Sequence, residues 1–482
     1  MEHDHSGEDG AAEGPTGPDD RDGLEARIRQ ARREVTERLD PAPPPLSEVR
    51  ARVQRQHRRL ALTAASIVVV LAVVTGVLVT RDGAEDEDEA VPVDVEFVRS
   101  DKPRTSGDAD AIPAAVEADT AFAVDLYRQL ATTEDGNFFL SPHSISMALS
   151  MTMAGADGDT LDQMEQALHL AVPEPAFHDA INALDQALTA PRTAEPDDAE
   201  GEPLELATAN SLWGQAGYPF RQQFLDRIAQ SYDAGMNVVD FEREAEASRL
   251  AINAWVAERT DGKITELIPK GVIDGLTRLV LVNTITFKAS WVDEFEDARP
   301  GPFTTADGTK VTAQMMSHGT GAVATGDGWQ SVSIPYVGGA HLLVIVPDDL
   351  ADFEQTLTPE VLAAAADAQG PADVTLPKFS VTSDLDLIPT LASLGIEDLF
   401  KAGEADLSRI DGTNGLYVSA AIHQATIDVD EKGTQAAAAT AVIVGLSSAP
   451  APFEVDKPFI FAIRDDVTGA ILFTGRVTDP TA

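Results

Sequence analysis

The stretch DVDEKGTQAAAATAVIVGLSSAPAP, residues 428–452, combines small side chains with an almost complete absence of charge. Five alanines fall within six positions, and no charged residue follows Lys432 until Glu454. A flexible linker would more typically contain glycine, serine and charged residues. Side chains alternate between the two faces of a strand. One face would carry the small or β-branched residues Thr434, Ala436, Ala438 and Thr440. The stretch therefore fits a strand that can enter a packed sheet. The alternative is an exposed alanine-rich helix, which is only marginally stable in isolation.

The bulk composition excludes several classes of function. The chain has 482 residues, a formal net charge of −45 and no cysteine. Disulfides and thiolate-ligated metals are therefore impossible, and the acidic balance disfavours binding to a phosphate backbone. No metalloprotease helix, phosphate-binding loop or GxSxG nucleophile turn occurs. We therefore expect a protein that is not an enzyme, with no catalytic residues, no metal and no cofactor.

The N-terminal part has a different character from the rest of the chain. Residues 60–80 carry no charged side chain, and about 20 helical residues cross a bilayer core. Arginines precede this run and acidic residues follow it, which places the N-terminal side in the cytoplasm. We predict a disordered, charged cytoplasmic tail over 1–59, a single transmembrane helix over 60–80 and an acidic extracytoplasmic stalk over 81–111. A buried core helix or the apolar part of a signal peptide would be the alternative for 60–80.

Residues 112–482 show the patterning of one globular domain. Helical periodicity dominates its first half, for example in the four-residue spacing of Phe122, Leu126 and Leu130. Strand-like runs such as AHLLVIVP and PFIFAIRD dominate its second half. This segregated order predicts the α+β class and argues against alternating parallel βαβ units.

Several motifs in this domain, taken in order, resemble the serpin family. They are NFFLSPHSISMALSMTMAGADGDTLDQM, LATANSLWGQ, INAWVAERTDGKITELIP, LVLVNTITFKASWVDEF, DEKGTQAAAAT and DKPFIFAIRDDVTGAILFTGRV. Each motif alone is weakly specific, but the ordered set spans nearly all of 112–482. The resemblance implies three β-sheets, eight or nine helices and an exposed reactive-centre loop. The membrane anchor departs from most of the family, and the bias toward Ala, Asp and Val indicates a prokaryotic-type member.

The resemblance also implies a function. A target serine protease would cleave the loop and form a covalent complex, after which the loop would insert into the main sheet. The partner is then a serine protease and the inhibitor acts once, outside the cell membrane, as a monomer that binds no nucleic acid. A non-inhibitory binding or chaperone module on the same fold is the alternative. A membrane-anchored hydrolase is disfavoured by the missing nucleophile motif.

The family's pattern assigns roles within the opening stretch. The hinge of the loop begins at an acid, which matches Glu431, and the family's spacing places the cleaved bond at Ser447–Ser448, with Leu446–Ser447 as a one-residue alternative. Small residues here suit elastase-like or subtilisin-like proteases, whereas Leu446 suits a chymotrypsin-like pocket. The hinge residues are Glu431, Gly433, Thr434, Gln435, Ala436, Ala437, Ala438, Ala439 and Thr440.

The resemblance further implies two places that control insertion. A polar cluster under the opening of the main sheet matches Ser141, Ser144, Asn253 and His423. The place where the loop first enters matches Trp213, Lys378 and Glu431, and we expect an ion pair between Lys378 and Glu431. The alternatives are a purely structural histidine and a surface ion pair worth about 0–1 kcal/mol.

Overall fold

The computed structural model describes residues 93–192, 201–260, 262–434 and 450–482. The predicted cytoplasmic tail and transmembrane helix lie outside these ranges, as do hinge residues Gln435 to Thr440 and the predicted cleavage residues Leu446, Ser447 and Ser448. Within the ranges described, none of the helices combines the length and apolarity needed to cross a bilayer.

The described chain contains ten α-helices and two short 3₁₀ turns. The helices are α1 (Ile112–Thr133), α2 (Pro142–Met153), α3 (Gly158–Ala167), α4 (Glu174–Thr189), α5 (Gln222–Tyr232), α6 (Phe241–Arg259), α7 (Leu350–Thr356), α8 (Pro359–Ala366), α9 (Leu387–Ser393) and α10 (Ser408–Asp411). The 3₁₀ turns are Ala109–Ala111 and Asp398–Phe400. Six helices precede the central strand of the main sheet, so the α+β class is confirmed. The total exceeds the expected eight or nine because single-turn elements such as α10 are included.

The strands are β1 (Glu96–Val98), β2 (Phe138–Leu140), β3 (Glu205–Gln215), β4 (Met236–Val239), β5 (Leu279–Ser290), β6 (Glu296–Thr304), β7 (Lys310–Gly326), β8 (Trp329–Tyr336), β9 (Ala340–Pro347), β10 (Pro371–Pro377), β11 (Phe379–Asp386), β12 (Val418–Asp430), β13 (Gly433–Thr434), β14 (Ala451–Glu454), β15 (Phe459–Asp465) and β16 (Ile471–Val477).

These strands form two hydrogen-bonded sheets in the described chain. The main sheet has the order β1-β4-β3-β5-β13-β12-β11. The second has the order β14-β10-β7-β8-β9-β15-β16-β2, with β6 on β7. Three sheets were expected, but the 17-residue strand β7 pairs with β6 in its first half, with β10 along its middle and with β8 at its C-terminal end. It thereby joins two groups of strands into one sheet.

The position of a strand in the main sheet follows from its sequence pattern. Central β5, LVLVNTITFKAS, is buried along nearly its whole length, as expected for a strand covered on both faces. Edge strand β11, FSVTSDLD, alternates strictly between buried and exposed positions. Helix α2 is buried at every residue and packs on β3 and β5. Its N-cap is Ser141, whose side chain accepts a hydrogen bond from the Ser144 amide.

The segment before α1 is part of the domain. Strand β1 pairs antiparallel with β4 and extends the main sheet by one strand. The backbone amide of Thr105 then donates to the carbonyl of Gln230 in α5 at 2.8 Å. Residues 93–111, predicted as the end of a stalk, therefore lie against the folded body.

Candidate functional site

The boundary between β5 and β12, called here the seam, is closed at one end and parted at the other. Leu279–Thr284 pairs directly with Val418–Gln424 in parallel register. At the far end, β13 lies between the two strands and is antiparallel to both. In the described strands, direct β5–β12 pairing stops at Thr284 and Gln424. We call the β13 end upper and the Leu279 end lower.

Gly433 is required where the chain turns into the seam. Its φ is +147°, a conformation that residues with a Cβ rarely adopt. A Cβ at this position would lie 2.2 Å from the carbonyl oxygen of Ala289 and 2.8 Å from Cα of Ser290. Any side chain would therefore push β13 away from β5.

Thr434 is the residue that has entered the seam. Its side chain is buried, and its hydroxyl lies 2.7 Å from the Tyr336 hydroxyl. The Tyr336 ring stacks on Trp291 with centroids 4.2 Å apart. Burial raises the pKa of Tyr336 well above its ordinary value, so this hydroxyl remains protonated and available as a donor.

Backbone and ionic contacts hold the chain just before Thr434. The Trp291 indole donates to the carbonyl of Asp430 at 2.8 Å, and its amide donates to the carbonyl of Lys432 at 3.0 Å. Glu431 accepts from Lys378 Nζ at 2.6 Å and from the Ala298 amide at 3.0 Å. Burial opposes ionisation of Glu431, but these donors outweigh it and lower the pKa of its carboxyl. The predicted Lys378–Glu431 ion pair is therefore present.

A second polar cluster, called here the latch, lies under the paired lower part of the seam. His423 Nε2 accepts from the Ser141 amide at 3.1 Å, so Nδ1 carries the proton and donates to Asn283 Oδ1 at 2.5 Å. The Asn283 amide donates to Ser144 Oγ at 2.7 Å and to Asn210 Oδ1 at 2.6 Å. The latch consists of Ser141, Ser144, Asn210, Asn283 and His423.

The imidazole of His423 is neutral in this environment. It is completely buried, and burial lowers the pKa of His423 to about 3. A neutral ring suits the latch, since one nitrogen donates and the other accepts. Because His423 belongs to β12 and Asn283 to β5, their hydrogen bond crosses the seam directly.

Two residues predicted for these places lie elsewhere. Asn253 on α6 exchanges hydrogen bonds with the backbone of Ile268, at 3.0 and 2.8 Å, and the latch asparagine is Asn283. Trp213 pairs in register with Val280 at the lower end of β5, whereas Thr434 pairs with Ala289 at the upper end. The prediction that Trp213 borders the insertion point is therefore wrong, and Trp291 occupies that position.

Asn283 could have been identified from its motif. Asn283 is the one amide side chain in the apolar run LVLVNTITF, and a buried amide needs partners.

The remaining buried histidines have local roles: His143 pairs with Asp119 at 2.6 Å, and His178 pairs with Glu174 at 2.7 Å. Within the described part of the chain, no group of three potential ligands could hold a metal ion.

Comparison with known proteins agrees with this architecture. The family profile described as "Serpin (serine protease inhibitor)" matches residues 117–480. The leukocyte elastase inhibitor of Equus caballus is 36% identical over 383 residues, which covers 75% of this chain and 98% of that protein. Human serpin B3 is 36% identical over 387 residues, which covers 76% and 99%.

Solved structures extend the comparison to the fold. The thermophilic serpin tengpin in its native state superposes with a TM-score of 0.69 at 27% identity, and the match covers 79% of this chain and 97% of that chain. The Arabidopsis serpin AtSerpin1 in its native stressed conformation gives a TM-score of 0.67 at 28% identity, and this match covers 77% and 99%.

Proposed function

The chain belongs to the serpin family of serine protease inhibitors, and from this premise we propose that it acts as a suicide substrate. A target protease would attack the loop after Ser447 or Leu446 and form an acyl-enzyme. The freed strand would then continue into the seam that Thr434 has already entered. Insertion would carry the bound protease away from the upper end of the molecule.

The observation that carries this proposal is the agreement of two registers. Thr434 lies opposite Ala289 on one side and Val429 on the other, antiparallel to both. If the strand continues inward in these two registers, Ala439 comes to lie opposite Thr284 in β5 and opposite Gln424 in β12. Those two residues are already each other's partners. A strand from residue 435 onward would therefore fit between β5 and β12 without a shift of either strand along its axis.

The seam also has the chemistry to accept such a strand. The Thr284 hydroxyl and the Gln424 side-chain carbonyl are buried without a hydrogen-bond partner in the described chain. Residues 435–444 contain no charge and no proline. A charge buried there without a partner would cost several kcal/mol, and proline would lack a donor for the ladder. The sequence of the loop therefore suits burial between two strands.

The loop sequence and the relatives support the target class that we propose. Leu446 and Ser447 favour elastase-like, subtilisin-like or chymotrypsin-like proteases, because no Lys or Arg lies near the predicted bond. Leukocyte elastase inhibitors are among the similar proteins.

The membrane location is proposed from the sequence of residues 1–92 alone. We infer a transmembrane helix over 60–80, with the inhibitor domain outside the membrane. The test compares the full chain with residues 82–482 by membrane fractionation and carbonate washing. Retention of the shorter chain in the washed membrane would contradict an anchor at 60–80.

The deciding experiment for inhibition uses residues 82–482 with elastase, subtilisin, chymotrypsin and trypsin. We expect a complex that survives SDS with at least one of the first three. Cleavage of the loop without a stable complex would contradict suicide inhibition and favour the alternative, a non-inhibitory binding module on the same fold.

A variant pair tests the role of insertion. Thr434→Arg should convert the inhibitor into a substrate, since a charge would have to enter the position that Thr434 occupies beside Tyr336. Thr325→Arg is the matched control, because Thr325 is exposed on β7. Equal complex formation by the two variants would argue against insertion at this seam.

A further inference from the structure

The upstream end of the domain is fixed at the lower end of the main sheet. Strand β1 runs antiparallel to β4, with Glu96 opposite Val238. Val238 lies opposite Gly214 in β3, and Gly214 lies opposite Leu279 in β5. Leu279 is the first residue of β5 at its lower end. Since β1 runs upward from Glu96, the residues before it leave the sheet in the downward direction.

This attachment is built into the fold by contacts on two helices. Lys102 forms an ion pair with Asp226 of α5 at 2.7 Å, and Ser100 donates to the same carboxylate at 2.5 Å. Arg104 donates to Asn182 and Asp185 of α4, at 2.7 and 2.5 Å. The segment therefore has a defined path across the side of the domain.

The row of residues that lie opposite one another, Glu96, Val238, Gly214 and Leu279, also marks where an inserted loop would end. Continued along β5, the register of Thr434 opposite Ala289 brings Val444 opposite Leu279. The cleaved bond lies two or three residues further, below the end of the sheet. Four strand spacings of about 4.8 Å separate Val444 from Glu96 across this row, so the acylated end would come within about 20 Å of the upstream chain. Before insertion, the hinge at Thr434 lies about 40 Å from Glu96, because Ala289 is ten residues higher.

We propose that residues 1–92 are joined to the domain at the end that receives the captured protease, so that inhibition carries the protease toward whatever those residues are fixed to. The inference rests on the proposed function. The loop would therefore meet its target at the pole remote from the attachment, and the trapped protease would finish beside it. An attachment at the upper end would give the opposite result.

The chain has no cysteine, so single introduced cysteines can carry a fluorescent donor. Asp94→Cys labels the attachment end, and Asp297→Cys is the matched label near the hinge; both aspartates are exposed. Ala298, next to Asp297, donates to Glu431. Elastase labelled at its amino terminus carries the acceptor. Elastase whose catalytic serine is replaced by alanine gives the encounter complex, and active elastase gives the covalent complex.

We expect energy transfer from the Asp94→Cys label to rise at least twofold from the encounter complex to the covalent complex, while transfer from the Asp297→Cys label falls at least twofold. Unchanged or reversed transfers within an SDS-stable complex would overturn the inference and leave the proposed function intact. Absence of any SDS-stable complex would overturn the proposed function and this inference with it.

A third variant tests whether β1 sets the attachment. Phe97→Pro removes a backbone donor from β1 and should release the segment from β4. We expect the SDS-stable complex to persist and transfer from the Asp94→Cys label to fall at least twofold within it. Undiminished transfer would show that β1 does not fix the attachment and would overturn the inference.

Discussion

The two ends of the seam are held by different kinds of contact. At the upper end, Thr434 has entered between β5 and β12, and the side-chain contacts that hold it beside the backbone pairing are one hydroxyl contact and a partly exposed ion pair. At the lower end, β5 and β12 pair directly over a buried imidazole and amide. Buried polar groups are expensive to leave unpaired, whereas exposed ion pairs contribute little. The barrier to further opening should therefore lie in the latch, and the hinge should decide how readily insertion begins.

The largest effect is expected from Asn283→Ala in the latch. The substitution removes the acceptor of the His423 Nδ1–H and the donor to Ser144. Each buried group left unpaired costs about 1–3 kcal/mol, so the free energy of unfolding should fall by about 2–6 kcal/mol. Urea denaturation followed by circular dichroism measures the change. Asn253→Ala is the comparison within the same domain, because Asn253 bonds to Ile268 and does not cross the seam.

Cleavage of the loop by a protease distinguishes Asn283→Ala from Asn253→Ala further. Asn283→Ala should also increase spontaneous burial of the loop, which subtilisin detects as slower cleavage after incubation at 37 °C. Asn253→Ala should lose stability without slower cleavage. If both variants behave alike, the latch has no special control over the seam.

The second effect is a loss of stability in acid that depends on His423. Its pKa is about 3 in the folded protein, against about 6.5 in an unfolded chain. As pH falls, the unfolded state takes up the proton first, so stability decreases from about pH 6.5 down to about pH 3. At pH 5 the decrease is about 2 kcal/mol, since one pKa unit corresponds to about 1.4 kcal/mol.

Thermal unfolding at pH 7.5 and at pH 5 measures the contribution of His423 as a difference between two proteins. His423→Gln cannot titrate and should lose less stability over this interval than the unaltered protein. Buried His143 and His178 are common to both proteins and cancel in the comparison. Parallel pH profiles would show that His423 does not make the seam sensitive to acid.

The sequence analysis misplaced one residue at each end of the seam, Trp213 at the hinge and Asn253 at the latch. Gly433, Thr434 and Glu431 were assigned from the resemblance to the family and stand together in one short segment. The latch depends on which residues of separate motifs come into register. Asn253 and Asn283 both stand in family-like motifs, but only Asn283 lies on the strand that borders the seam.

Strand β1 could not be predicted from its own residues. The segment DVEFVRS follows an acidic run and has only three residues in a strand. A strand of this length has little intrinsic stability, and β1 forms because β4, about 140 residues later, offers an open edge. Only the tertiary fold reveals this pairing.

The third effect is expected from Tyr336→Phe at the hinge. The Thr434 hydroxyl would lose its partner in a buried position, at a cost of about 1–3 kcal/mol to the seated hinge. The hinge should therefore leave the seam more often, and the fluorescence of Trp291, which stacks on Tyr336, should change. Tyr417→Phe is the control, since its hydroxyl bonds at the surface to Leu276. An unchanged Trp291 signal in Tyr336→Phe would count against the hydroxyl contact as the restraint on Thr434.

The smallest effect is expected from Lys378→Gln, which removes the ion pair with Glu431. The lysine side chain is 37% exposed and the glutamate 21% exposed, so solvent screens most of the attraction and the change should be about 0–1 kcal/mol. Because the pKa of Glu431 is lowered by its partners, this contribution is present at neutral pH and is lost as the carboxyl is protonated in acid. High salt should reduce the difference between the two proteins, since screening weakens exposed pairs. A difference in urea midpoint that persists unchanged in 1 M salt would instead assign Lys378 a packing role beside the hinge.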